Sequence, residues 1–124
     1  MAAEFDLEVR GHIVVVAQKG SPTFEEANEV VAATVMAALK ASTSNLLFDV
    51  RLADLANYYS YIVRHAEIAP SLGLHTGFRI AIVGLRDQAD VLSFMARVGQ
   101  NRGWTTQTFF DMDQAVEWFG QETG

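Results

Sequence analysis

Residues 79–119, RIAIVGLRDQADVLSFMARVGQNRGWTTQTFFDMDQAVEWF, switch twice between a strand-like and a helix-like hydrophobic pattern. No other feature restricts the fold as much. Residues 78–83 form a short apolar run rich in β-branched side chains, as a strand buried on both faces does. Val91, Leu92, Phe94, Met95, Val98 and Gly99 then recur at helical spacing, with Asp87 as the expected cap and Asp90 in the first turn. Arg97 and Arg102 lie toward the negative end of the helix dipole. Gly103 suits the left-handed stop after a helix. Residues 104–110 alternate Thr and Gln with aromatics, and a last short helix carries Ala115, Val116, Trp118 and Phe119 behind a cap at Asp111 or Asp113. Two strands joined by a helix form a parallel pair, so this segment alone predicts an α/β fold.

The remainder extends the pattern. Phe5, Leu7 and Val9 alternate with Asp6, Glu8 and Arg10, the period of a half-buried strand. Residues 13–17 are a continuous apolar run after Gly11-His12. That gap is too short for a crossover, so the two strands pair as an antiparallel hairpin with the first at the sheet edge. The next helix starts either at Ser21 with Pro22 in its first position or through a Thr23/Glu26 capping box. Its expected buried stripe is Ala27, Val30, Val31, Thr34, Val35, Ala38 and Leu39. Residues 46–50 form a third strand. Residues 57–69 have helical length, with Ile62, Ala66 and Ala69 on one face and Pro70 as a stop. Residues 72–77 read as a loop. The expected architecture is a five-stranded, mainly parallel sheet with an N-terminal antiparallel edge strand and about four helices on both faces, in one domain spanning 1–124.

Composition narrows the function. The net charge of −6, with nine scattered Lys and Arg, argues against nucleic acid and against anionic membrane surfaces. The chain has no cysteine, which removes thiol nucleophiles, disulfides and thiolate metal sites. The N-terminus lacks the apolar segment of a secretory signal, and the apolar runs are too short to span a bilayer, so the expected location is the cytoplasm.

Few residues point to chemistry. Ligands of open parallel sheets bind beyond the carboxyl ends of the strands, which here carry Gln18, Lys19, Asp49, Arg51, Gly84, Arg86, Asp87 and Asp111. Asp49 stands in the otherwise apolar strand Leu-Leu-Phe-Asp-Val, where a charge is costly unless satisfied. It marks either a polar site or a carboxylate paired with loop amides, Arg51 or Arg79. His12, His65 and His75 have no metal-ligand spacing, and His65 reads as an exposed residue beside Arg64. No serine has a nucleophile-elbow context. Gly84-Leu-Arg-Asp lacks the remaining glycines of a dinucleotide turn. No catalytic residue, metal or cofactor is expected. Tyr58, Tyr59 and Tyr61, next to Ser60, form an aromatic knot that suits a partner surface, an apolar pocket or the core.

Leu46-Leu47-Phe48-Asp49-Val50-Arg51, Arg79-Ile80-Ala81-Ile82-Val83, Phe94-Met95-Ala96-Arg97 and the closing Asp-x-x-x-Ala-x-x-Trp-Phe from Asp111 to Phe119 together resemble the small bacterial STAS domains. Within these they resemble the SpoIIAA-like group, related in fold to the lipid-binding CRAL-TRIO domains. The resemblance implies a non-enzymatic module that acts through protein–protein contacts. Anti-sigma-factor antagonists of this kind carry a phosphorylatable Ser or Thr shortly after the Asp-ended strand. The corresponding stretch here holds Asn57 and Tyr58, with Ser60 two further on, so the acceptor hydroxyl is absent or displaced. The expected binding residues are Asp49, Arg51, Asn57, Tyr58, Tyr59, Ser60 and Tyr61. Two occupants are expected: an unknown protein partner, or a small apolar or lipid-like ligand lined by Tyr58, Tyr59, Tyr61 and Ile62. A homodimer is expected through the strand edge or the apolar face around Phe94.

Overall fold

The computed structural model describes residues 4–56 and 58–120. Five strands, β1 (Glu4–Arg10), β2 (Ile13–Gly20), β3 (Asn45–Ala53), β4 (Arg79–Val83) and β5 (Thr105–Phe109), lie in the order β1-β2-β3-β4-β5. β1 pairs with β2 antiparallel and the other neighbours are parallel, as expected. Four helices accompany them: α1 (Phe24–Ala41), α2 (Tyr59–Ile68), α3 (Ala89–Asn101) and α4 (Met112–Gly120).

The strand order decides where the helices go. Each crossover from β2 to β5 steps one strand in the same direction, and right-handed crossovers made that way place their helices on one face. The two cores follow. Val14, Val16, Leu46, Val50, Ile80 and Ile82 face α1, α2 and α3. Ile13, Val15, Leu47, Ala81 and Val83 face the other way and pack on Ala115 and Phe119 of α4. Helices cover both faces, three on one and one on the other.

Local chemistry sets the element ends. Of the two possible starts of α1, the capping box forms: Thr23 Oγ1 accepts from the Glu26 amide at 3.1 Å and Glu26 accepts from the Thr23 amide at 2.8 Å. Asp111 Oδ1 accepts from the Asp113 and Gln114 amides and caps α4. Gly103 takes its left-handed conformation after α3, with φ 90°.

Two expectations need correction. Leu39 is 65% exposed, because α1 turns its last apolar position past the edge of the contact with the sheet. Asp87 does not cap α3: residues Arg86–Gln88 form a 3-10 turn, and α3 starts behind Gln88 with no side-chain cap. Pro70 stops α2 as expected: the helix ends at Ile68, and a 3-10 turn over Ala69–Leu72 follows it. Proline tolerates the first positions of such a turn because no helical donor is required there.

Candidate functional site

The carboxyl end of β3 is bulged. Ala17 pairs with Asp49 and Lys19 with Leu52, so Val50 and Arg51 together oppose Gln18. The bulge frees the Arg51 amide from the ladder, and Asp49 Oδ1 captures it at 3.1 Å. The guanidinium closes a fork on the same carboxylate, Nε to Oδ1 at 2.9 Å and Nη2 to Oδ2 at 2.8 Å. Burial pushes the Asp49 carboxyl up, but the Arg51 hydrogen bonds and charge, with Arg10 adding to them, outweigh it and hold the group below its ordinary range. Asp49 is thus a satisfied carboxylate, paired with Arg51. The alternative partner Arg79 instead donates to the Trp118 and Phe119 carbonyls at the end of α4. The pair lies on the α4 side of the sheet, in a groove shared with Asp6, Glu8 and Arg10. Arg51→Ala should cost about 1 kcal/mol in urea unfolding, because the Asp49 side chain is only 15% exposed while Arg51 reaches water. Arg51→Lys should restore less than half of this, since an ammonium cannot fork.

The tyrosines divide. Tyr58 turns inward, edge-on to Tyr61 at 6.0 Å and stacked on the His65 ring at 5.6 Å; burial pushes its phenol pKa up. Tyr61 is half-buried and packs on Phe24 at 6.1 Å. Tyr59 is 46% exposed beside Phe94, and Ser60 is exposed in the first turn of α2. Asn57 lies outside the described residues. The expected binding residues therefore fall into three places: a charged pair on the α4 face, an inward cluster under α2, and an outer rim at the head of α2.

A cavity of about 140 Å³ lies between the sheet and the three-helix layer. Its lining crosses the sheet from Gln18 on β2, through Phe48 on β3 and Ile82 on β4, to Thr106 on β5; Ile62 and His65 of α2, with Tyr58 just before it, close it from above. Ile62, Ala66 and Ala69 share the buried face of α2 as expected.

Two contributors were not singled out from sequence. His65 is half-buried rather than exposed: its Nδ1 lies 2.8 Å from Asn28 Oδ1, and its ring packs on Phe24 at 4.7 Å. Burial, with the Arg64 charge, lowers its pKa to about 4. The i, i+3 spacing of His65 from Ile62, on the apolar side of α2, is the signal that could have shown it. Gln88 joins the ends of β3 and β4. Its Nε2 donates to the Val50 and Ala53 carbonyls at 3.1 Å, and its Oε1 accepts from the Leu85 amide at 2.7 Å. No sequence pattern announces that role. Among the described residues no group of His, Asp and Glu could hold a metal ion, and no helix is long and apolar enough to cross a membrane.

No protein-family model matches the chain, and no curated protein matches it. Solved structures do. An anti-sigma factor antagonist from Mycobacterium paratuberculosis superposes with TM-score 0.62 at 12% identity, covering 94% of this chain and 93% of the other. An uncharacterized DUF3478-family protein with a SpoIIAA-like fold, from Shewanella loihica PV-4, gives 0.59 at 19% identity over 94% and 93%. The anti-sigma factor antagonist SpoIIAA in its unphosphorylated form gives 0.52 at 13% identity over 96% and 100%. With an antiparallel edge strand, four parallel strands and, among the described residues, one helix on the second face, the chain has a SpoIIAA-like fold.

Proposed function

We propose that residues 1–124 act as one cytoplasmic, non-enzymatic signalling module that binds a protein partner through the carboxyl ends of its strands. One observation carries this reading: Leu52 is 70% exposed, Tyr59 46%, Leu85 45% and Phe110 37%, and all four stand where β3, β4 and β5 end and α2 begins. Apolar side chains gathered at one end of a domain are a feature of interaction surfaces. Asp54, Asp87, Asp90 and Asp111 are exposed around them and outnumber the exposed Lys19 beside Leu52, while Arg51 is engaged by Asp49 and Arg86 lies over the Phe110 ring at 4.9 Å. The rim is thus acidic, and it suits a partner with an apolar centre and a basic border. Two of the similar structures are anti-sigma factor antagonists, which supports a partner of the anti-sigma-factor kind.

Partner recovered by cross-linking in the source cells should be titrated against variants. Leu52→Asp and Leu85→Asp should each weaken binding by roughly tenfold or more. Met36→Asp, at a 55% exposed position on α1, should leave binding unchanged. Equal effects of all three would refute the assigned surface. The outer edge of β1, with Phe5 and Val9 exposed, is where a second copy would pair, and light scattering after size exclusion reads that directly.

A second reading, binding of a small apolar or lipid-like ligand, is supported by the cavity under α2.

A further inference from the structure

The cavity under α2 is a gap in an otherwise close-packed layer. Phe48 sits in the middle of the central strand, paired with Val16 on one side and Ile82 on the other. Both neighbours are buried, yet Phe48 keeps accessible surface on the helix side. At about 140 Å³ the space is close to that of a cavity known to hold benzene. The described lining contains no Lys, Arg, Asp or Glu, so a charged group inside would have no counter-ion.

The lining is nevertheless not wholly apolar. His65 Nε2 and Thr106 Oγ1 are buried and have no hydrogen-bond partner among the described residues. Both residues line the cavity, and Thr106 is only 7% exposed; the two polar atoms themselves have almost no open surface, so a ligand meets them only after their side chains turn slightly toward the space. Buried polar atoms are ordinarily paired, and leaving them unpaired is costly. The chemistry at His65 is one-sided. Asn28 Oδ1 can only accept, so the Nδ1 facing it at 2.8 Å carries the ring proton. Nε2 is then a lone-pair acceptor, and whatever meets it must donate. Burial and the neighbouring Arg64 charge keep the ring neutral at pH 7, since the imidazole is lowered to about 4. At the other side, Thr106 Oγ1 can donate or accept; it lies beside Gly99, where a Cβ would come within 2.7 Å of it.

We propose that this cavity binds a neutral, mainly apolar molecule of about one aromatic ring, whose hydroxyl donates a hydrogen bond to His65 Nε2. This rests on the ligand-binding reading of the cavity and specifies its chemistry. Nothing in it depends on the partner surface at the carboxyl ends.

The test is an NMR titration of the full chain at pH 7 with three probes of similar size: toluene, p-cresol and 4-methylbenzoate. The readouts are the methyl resonances of Ile62, Ile82 and Leu74 and the Nε2 resonance of His65. p-Cresol should bind roughly tenfold more tightly than toluene, the value of satisfying one buried acceptor. It alone should move the Nε2 resonance, and 4-methylbenzoate should not enter. His65→Leu should bring p-cresol and toluene to within about twofold of each other, and Thr106→Val should retain the preference for p-cresol. If His65→Leu fails to fold, the Nε2 shift in the unaltered chain decides the matter. Equal binding of toluene and p-cresol with Nε2 unmoved overturns the hydroxyl recognition and leaves the apolar-ligand reading standing. Entry of 4-methylbenzoate overturns the requirement for neutrality. Binding of none of the three up to their solubility overturns the ligand reading itself.

Discussion

Lowering the pH from 6.5 to 4 should destabilise the fold by about 1–2 kcal/mol through His65, less than a fully buried ring would give, because water screens the half-buried imidazole. In the unfolded chain the imidazole takes up a proton around its ordinary value of 6.5; in the fold it does so only near 4. Between those values the unfolded state holds more protons than the folded state, so stability falls as pH falls. The contribution is complete above pH 6.5 and is lost through the window down to 4. The cause is burial, reinforced by the Arg64 charge; the groups that meet the ring are Asn28, Phe24 and Tyr58, and none of them is a carboxylate that could stabilise the cation. Urea unfolding of the unaltered chain and of His65→Leu, each followed from pH 7 to pH 4, isolates the effect, because carboxylates such as Asp49 titrate alike in both. The unaltered chain should lose the additional stability and the variant should not. Parallel pH profiles would show that His65 is protonated as readily in the fold as out of it.

Gly73→Ala should cost about 2–4 kcal/mol, for two reasons that add. Gly73 ends the 3-10 turn after α2 with φ 99°, a conformation that L side chains rarely adopt. A Cβ there would also lie 2.9 Å from Val35 Cγ1, in the contact that seats the end of this turn on α1. Gly11→Ala is the control. Its φ is 59°, but nothing lies within 4 Å of the added Cβ, so only the conformational penalty of about 1–2 kcal/mol applies. Urea midpoints of the two variants separate the contributions. A Gly73→Ala variant no weaker than Gly11→Ala would mean that α1 gives way without cost. The position matters because Leu72 and Leu74, on either side, both line the cavity.

These two residues show where sequence reading runs out. Strands and helices are legible because their signals are local. Alternation in β1, the apolar runs of β2 and β4, the Thr23/Glu26 box and Gly103 each depend on residues a few places apart. Asp49 is legible as a charge in need of a partner, and Arg51 was among the partners it suggested. Its bidentate geometry depends on the bulge, which exists only once β2 lies alongside β3. His65 carries no local sign that it is buried, because its surroundings come from Phe24 and Asn28, about forty positions earlier in the chain. Tyr58 and Tyr59 are adjacent and chemically equal, yet one lines a cavity and the other faces solvent; the start of α2 at Tyr59 separates them.

The sequence by itself determined the element types, their order, the antiparallel first pair and the parallel remainder, because periodicity and crossover length act within single elements and their connections. The tertiary structure alone decided that three helices share one face, that Asp49 is consumed by Arg51, and that a gap remains over Phe48 with His65 and Thr106 in its lining. A cavity is a mismatch between surfaces contributed by distant segments, and no segment encodes it alone.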